Sequence, residues 1–93
     1  MAVTVRIPTP LQRFTGSQAK VAVEGDSVRE ALAQLEAQFP GIRERLYDEA
    51  GRLRRFVSVF LNDEDVRYLQ GEDTPLADGD VLSIVPAIAG GRL

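Results

Sequence analysis

Chemistry in a small protein starts from a nucleophile, a metal ligand or an acid–base pair, and this chain carries few of them. There is no histidine, so the commonest acid–base group and metal ligand is missing. There is no cysteine, which removes thiol nucleophiles, zinc thiolates and disulfides. A self-contained hydrolase, protease or metalloenzyme is hard to build from what remains, and no catalytic residue is assigned. Asp63, Glu64 and Asp65 are adjacent, but no glycine-containing calcium loop of the right spacing accompanies them. A solvated turn is therefore expected there, with no metal. Arg52, Arg54 and Arg55 gather before an apolar run; a solvated strand entry is expected ahead of an anion or partner site. The segment with unexplained chemistry is Ala89-Gly90-Gly91. Tandem glycine orders at a high entropic cost and buries nothing. Such a tail is either a frayed terminus or a thread for a narrow channel on another protein. In such a channel side chains would clash and backbone groups would make the contacts.

The elements that must position this tail lie directly before it. Asp78-Gly79-Asp80 is a turn, with glycine free to take positive φ. Val81 to Val85 is a β-branched run that reads as a buried strand. Pro86 stops it, because proline has no N–H for the ladder. The boundary follows: residues 1–86 as the folded domain, 87–93 as a flexible tail.

Upstream, Val3, Val5 and Ile7 alternate with polar residues and predict a half-buried strand. Leu11 to Gln18 reads as a loop holding Phe14. Lys20 to Glu24 is a second strand with Val21 and Val23 inward, hairpinned to the first. Ser27-Val28-Arg29-Glu30 fits a capping box. Val28, Ala31, Leu32, Leu35 and Phe39 then form one helical stripe, which Pro40-Gly41 ends. Ile42 to Leu46 predicts one further helical turn, and Tyr47 to Arg52 an exposed loop. Phe56 to Leu61 is a strand with Val57, Val59 and Leu61 toward the core. Asn62-Asp63 turns the chain, and Val66-Arg67-Tyr68 is expected as a short edge strand. Periodicity gives an α+β domain with one long helix.

Ninety-three residues make one domain. Net charge of −3 argues against nucleic acid as the main partner. No apolar run approaches eighteen residues, so no membrane span is expected. The N-terminus lacks a basic segment followed by an apolar core, so no signal peptide is expected and a cytoplasmic setting is the default. Lys20 is the sole lysine. Lys20 and the N-terminus would be the only amine acceptors if the chain formed conjugates with itself.

Three stretches taken together resemble a known family: Phe60-Leu61-Asn62-Asp63-Glu64-Asp65-Val66-Arg67, Asp78-Gly79-Asp80, and the strand-Pro86-Ala87-Ile88-Ala89-Gly90-Gly91 ending. They resemble the ubiquitin-like sulfur carriers of the ThiS, MoaD and CysO families, and Asn62 to Arg67 is most similar to the CysO type. The resemblance implies a β-grasp fold: a mixed four- to five-stranded sheet covered by one main helix. Its last strand would lie between the first and third, parallel to the first. It implies that the Gly91 carboxylate is the reacting group, with Gly90 letting the backbone extend. An E1-like adenylating/sulfurtransferase enzyme would activate it with ATP, and sulfur would then replace oxygen to give a thiocarboxylate. ATP would belong to that enzyme, with no cofactor bound here. Arg92 and Leu93 follow the glycine pair, so a processing protease must first expose Gly91. The CysO likeness implies sulfur delivery for cysteine biosynthesis through a cysteine synthase. Partnership with the molybdopterin synthase large subunit, a ubiquitin-like protein modifier and a non-covalent interaction module are the alternatives. A docking patch for these partners is expected at Phe60, Val85 and Ile88. It would sit on an outer sheet face that also carries Thr4, Arg6, Phe56, Ser58 and Ser83.

Overall fold

A computed structural model describes residues 1–86. The tail expected at 87–93, with Ile88, Gly90 and Gly91, lies outside the described residues. The strands are β1 (Ala2–Arg6), β2 (Lys20–Glu24), β3 (Val57–Leu61), β4 (Glu64–Asp65) and β5 (Val81–Pro86). The helices are α1 (Val28–Gln38) and the single turn α2 (Arg43–Leu46). The sheet order is β2-β1-β5-β3-β4. β5 runs parallel to β1 and antiparallel to β3. This mixed sheet under one main helix is the β-grasp arrangement, with the last strand in the expected place.

Alternation makes the sheet one-sided. Val3, Val5, Val21, Val23, Val57, Val59, Leu82 and Ile84 are all buried beneath α1. The helix returns Val28, Ala31, Leu32 and Leu35, each without exposure. Burying a side chain of the size of Leu32 or Leu35 stabilises by roughly 1.5–3 kcal/mol. Phe39 is only partly buried, because it sits at the helix C-cap where the chain departs.

The start of α1 is capped as the sequence demands, with one shift. Ser27 Oγ accepts from the Glu30 N–H at 3.2 Å. Glu30 reaches back past Ser27, and its Oε1 accepts from the Asp26 N–H at 2.9 Å. Gly25 explains the tight approach of β2 to this end: a Cβ there would lie 2.7 Å from the Ala31 nitrogen.

Three local readings, two of loops and one of a strand, are corrected. Thr9–Phe14 winds as a 3-10 helix rather than a loop. Pro10 presets its first turn, Leu11 is buried, and Thr15 Oγ1 closes the end on the Gln12 and Gln18 carbonyls. Tyr47 is in the core, not in an exposed loop. It follows α2 as the C-cap residue at 7% exposure, and its hydroxyl donates to Glu72 Oε1 at 3.1 Å. The edge strand is Glu64–Asp65, and Val66–Tyr68 turns away as a 3-10 helix. Asp65 Oδ1 caps that turn by accepting from the Arg67 N–H at 2.9 Å. Val66 is thereby folded into the core at 2% exposure.

Candidate functional site

The tail leaves from β5, so the site begins with what holds β5 in place. The Asp78-Gly79-Asp80 turn is fastened to β1 from both ends. Asp78 Oδ1 accepts from the Ala2 N–H at 2.9 Å, and the Gly79 N–H donates to the Ala2 carbonyl at 2.8 Å. Gly79 has φ +89°, a conformation that only glycine adopts without strain. Asp80 Oδ2 accepts from the Ala77 N–H at 2.8 Å, and its carbonyl accepts from the Thr4 N–H at 3.0 Å. Asn62 secures the other flank. It has positive φ, 56°, which Asn tolerates better than most residues. Its N–H donates to the Val81 carbonyl at 2.7 Å, and its Oδ1 accepts from the Val81 N–H at 3.2 Å. The strand carrying the tail is therefore clamped at its start between two turns. From there it runs in register against β3 to the Val57–Pro86 pair.

The face of the sheet opposite α1 carries one row straight across four strands. Arg6 pairs Ser83, Ser83 pairs Phe60, and Phe60 pairs Asp65. Val85 lies two residues beyond Ser83 on β5, diagonal to Phe60. Phe60, Ser83 and Val85 line a shallow hollow of about 480 Å³, with Arg6 at one edge and Asn62 and Asp63 at the other. Val85 is 44% exposed, and Phe60 is half-buried. The structure thus brings two of the three expected docking residues together. Phe56, expected on the same face, is exposed but lies beyond the end of β3.

Sequence reading missed the clamp at the far end of this row. Arg67 Nη2 meets Asp65 Oδ2 at 2.6 Å, and its Nε lies within 3.2 Å of both oxygens. The same guanidinium donates to Ser58 Oγ at 3.3 Å. These donors hold the Asp65 carboxyl below its ordinary range, the side-chain bonds from Arg67 being the first cause. The sequence places Asp65 in a solvated turn and Arg67 in an edge strand, and nothing in that reading joins the two. Asp65 is instead consumed by an internal pair. Among the described residues no group of three or more acidic, histidine or cysteine side chains is placed to hold a metal. No helix there is long and apolar enough to cross a membrane.

The pattern of the ThiS family matches residues 5–91. The chain belongs to the ThiS family. The sulfur carrier protein CysO of Mycobacterium tuberculosis is 50% identical over 93 residues, covering 98% of this chain and 100% of CysO. The crystal structure of that protein superposes with a TM-score of 0.86 at 48% identity, over 92% of this chain and 99% of the other. A chain of the Amycolatopsis orientalis BexX/CysO complex gives a TM-score of 0.89 at 46% identity, over 97% and 100%. Small archaeal modifier protein 3 of Haloferax volcanii is 38% identical over 65 residues, 70% of each chain. Within the ThiS family this chain is a sulfur carrier of the CysO type. Such carriers are protein substrates of other enzymes rather than catalysts.

Proposed function

We propose that the chain carries sulfur on the carboxylate of Gly91 and delivers it for cysteine biosynthesis. One observation carries the reading: the family match runs through the glycine pair and stops at Gly91, leaving Arg92 and Leu93 outside it. A protease removes those two residues. The exposed carboxylate attacks the α-phosphorus of ATP on an E1-like enzyme, pyrophosphate leaves, and an acyl-adenylate forms. Sulfide attacks the acyl carbon and expels AMP. Where a persulfide donor supplies the sulfur instead, its terminal sulfur displaces AMP to give an acyl disulfide; a second thiol then cleaves the S–S bond, ending as a disulfide with the donor and releasing the acyl sulfur. The product is a thiocarboxylate, anionic at neutral pH and a soft nucleophile for an electrophile held in a cysteine synthase. Gly90 and Gly91 let the chain pass a narrow channel without Cβ clashes. The clamped β5 fixes where that chain starts, which limits the orientations the partner must select among. Phe60 and Val85, with Ile88 beyond the described residues, form the docking patch. No step needs an acid, base or metal from this chain. A cytoplasmic setting suits ATP-dependent activation.

Intact mass of the untagged protein from its own host tests this. Loss of Arg92-Leu93 with a partial oxygen-to-sulfur gain is the expected result. A mass equal to the full chain, unchanged after incubation with host lysate and ATP, refutes it. The Haloferax modifier similarity favours a second reading, in which the same activated Gly91 forms an isopeptide bond with a target lysine. Conjugates of raised mass in lysate would select that reading. A molybdopterin synthase large subunit is the rival acceptor, separated by which purified enzyme consumes the thiocarboxylate.

A further inference from the structure

A second hollow, of about 460 Å³, opens where β5 ends, and it is distinct from the Phe60–Val85 patch. Pro86 lines it, together with the rings of Phe14 and Phe56. Three arginines from three different segments converge there. Arg13, from the 3-10 helix after β1, lies over the Phe14 ring at 5.0 Å, and Arg45 of α2 covers the same ring at 4.9 Å. Arg54 sits 6.0 Å from the Phe56 ring, and its Nε is tethered to the Glu44 carbonyl at 2.9 Å. None of the three joins an ion pair among the described residues. Among the described residues the only acid lining the hollow is Glu44, so their lining is net positive in a molecule of net charge −3. Phe56 remains 50% exposed, an aromatic anchor with guanidinium groups around it. Exposed aromatics flanked by arginine are the residue types that dominate interface energies.

We propose that this cleft docks an acidic segment, carrying at least one apolar side chain, on the enzyme that adenylates Gly91. The proposal rests on the sulfur-carrier reading above. Two arguments carry it. The first is reach: residues 87–91, fully extended, span at most roughly 18 Å. An enzyme acting on Gly91 must therefore bring its own surface close to Pro86, and the cleft is at Pro86. The second is charge complementarity. A carrier whose net charge is negative gets no orientation from its average field. A local cationic cleft facing carboxylates supplies that orientation and accelerates encounter. The guanidinium groups are held over rings, so little side-chain entropy is lost when carboxylates meet them.

The test is pyrophosphate exchange by the host's adenylating enzyme, with carrier ending at Gly91 as the varied substrate. Arg13→Glu/Arg45→Glu should raise KM about tenfold or more, with kcat little changed, and flatten the dependence of kcat/KM on ionic strength. Arg45→Lys, which keeps the charge, should stay near wild type. Glu44→Gln, which removes the opposing charge among the described lining residues, should lower KM. Thermal unfolding of each variant separates docking from misfolding. An unchanged KM and salt dependence in a folded double variant, with wild type active, overturns the cleft and leaves the carrier reading standing. No exchange with the wild-type carrier overturns both.

Discussion

Arg67 closes on Asp65 from the side while the Arg67 amide caps it from below. Both contacts favour the ionised carboxylate, so its folded pKa lies below the ordinary value. The sign for stability follows. A depressed carboxyl stabilises the fold at every pH above its unfolded value, about 3.9. That contribution disappears as pH falls through the lower folded value. Asp48, held down first by the Arg52 amide and also by that of Ala50, acts in the same sense. Wild type should therefore lose Tm as pH falls below about 4. Asp65→Asn should start from a lower Tm at pH 7 and fall less steeply across the same range, keeping the share that Asp48 supplies. Parallel melting curves for the two proteins would show that the Asp65–Arg67 pair is energetically idle, as exposed pairs often are. This pair belongs to the residue scale, because it changes the outer sheet face without altering any strand.

The joint between β2 and α1 belongs to the scale of elements. Gly25 has an ordinary negative φ, so its role there is space rather than conformation. The 2.7 Å approach of a built Cβ is to the backbone nitrogen of Ala31, which has no flexible end to move aside. Gly25→Ala should therefore push α1 off the sheet and cost about 1–3 kcal/mol in urea unfolding. A neutral or stabilising substitution would mean that the helix shifts freely. This contact was not legible in the sequence, where Gly25-Asp26-Ser27 reads only as a break before a cap. The helix itself was legible, because its stripe of Val28, Ala31, Leu32 and Leu35 has one dominant period. So were β2 and the inward faces of β1 and β3. Tyr47 was misread because its neighbours Asp48 and Glu49 are polar. The partner that satisfies its buried hydroxyl, Glu72, lies twenty-five positions away. Val66 was misread as strand because β-branching argues for extension, while the Asp65 cap that turns the chain acts through a side chain. Of the candidate site, Phe60 and Val85 were legible from alternation alone. The Arg13–Phe14–Arg45 stack was not, since it joins segments with no common pattern.

At the scale of the whole molecule, two hollows flank the strand that carries the tail. One lies on the outer sheet face, where Phe60 and Val85 sit between Arg6 and Asp63; the other opens at the end of β5, on the side of Val57 and the 3-10 helix, and is cationic and aromatic. If Phe60 and Val85 dock the activating enzyme, removing the ring should weaken activation without weakening the fold. The substitution needs choosing with the register in mind. Phe60→Asp would set a carboxylate opposite Asp65 and compete for Arg67, confusing docking with strand pairing. Phe60→Thr replaces the ring with a β-branched residue of good strand propensity and leaves that pair alone. Its side chain faces away from α1, so its loss opens no cavity in the core. Stability should fall by less than about 1 kcal/mol. KM for adenylation should rise several-fold, because a central aromatic contributes disproportionately to an interface. Val85→Thr, diagonal to it, should give a smaller effect, and the double variant less than the sum, since the two side chains line one hollow. An unchanged KM in a folded Phe60→Thr protein would remove the patch. Recognition would then fall to the tail and to the cationic cleft at its root.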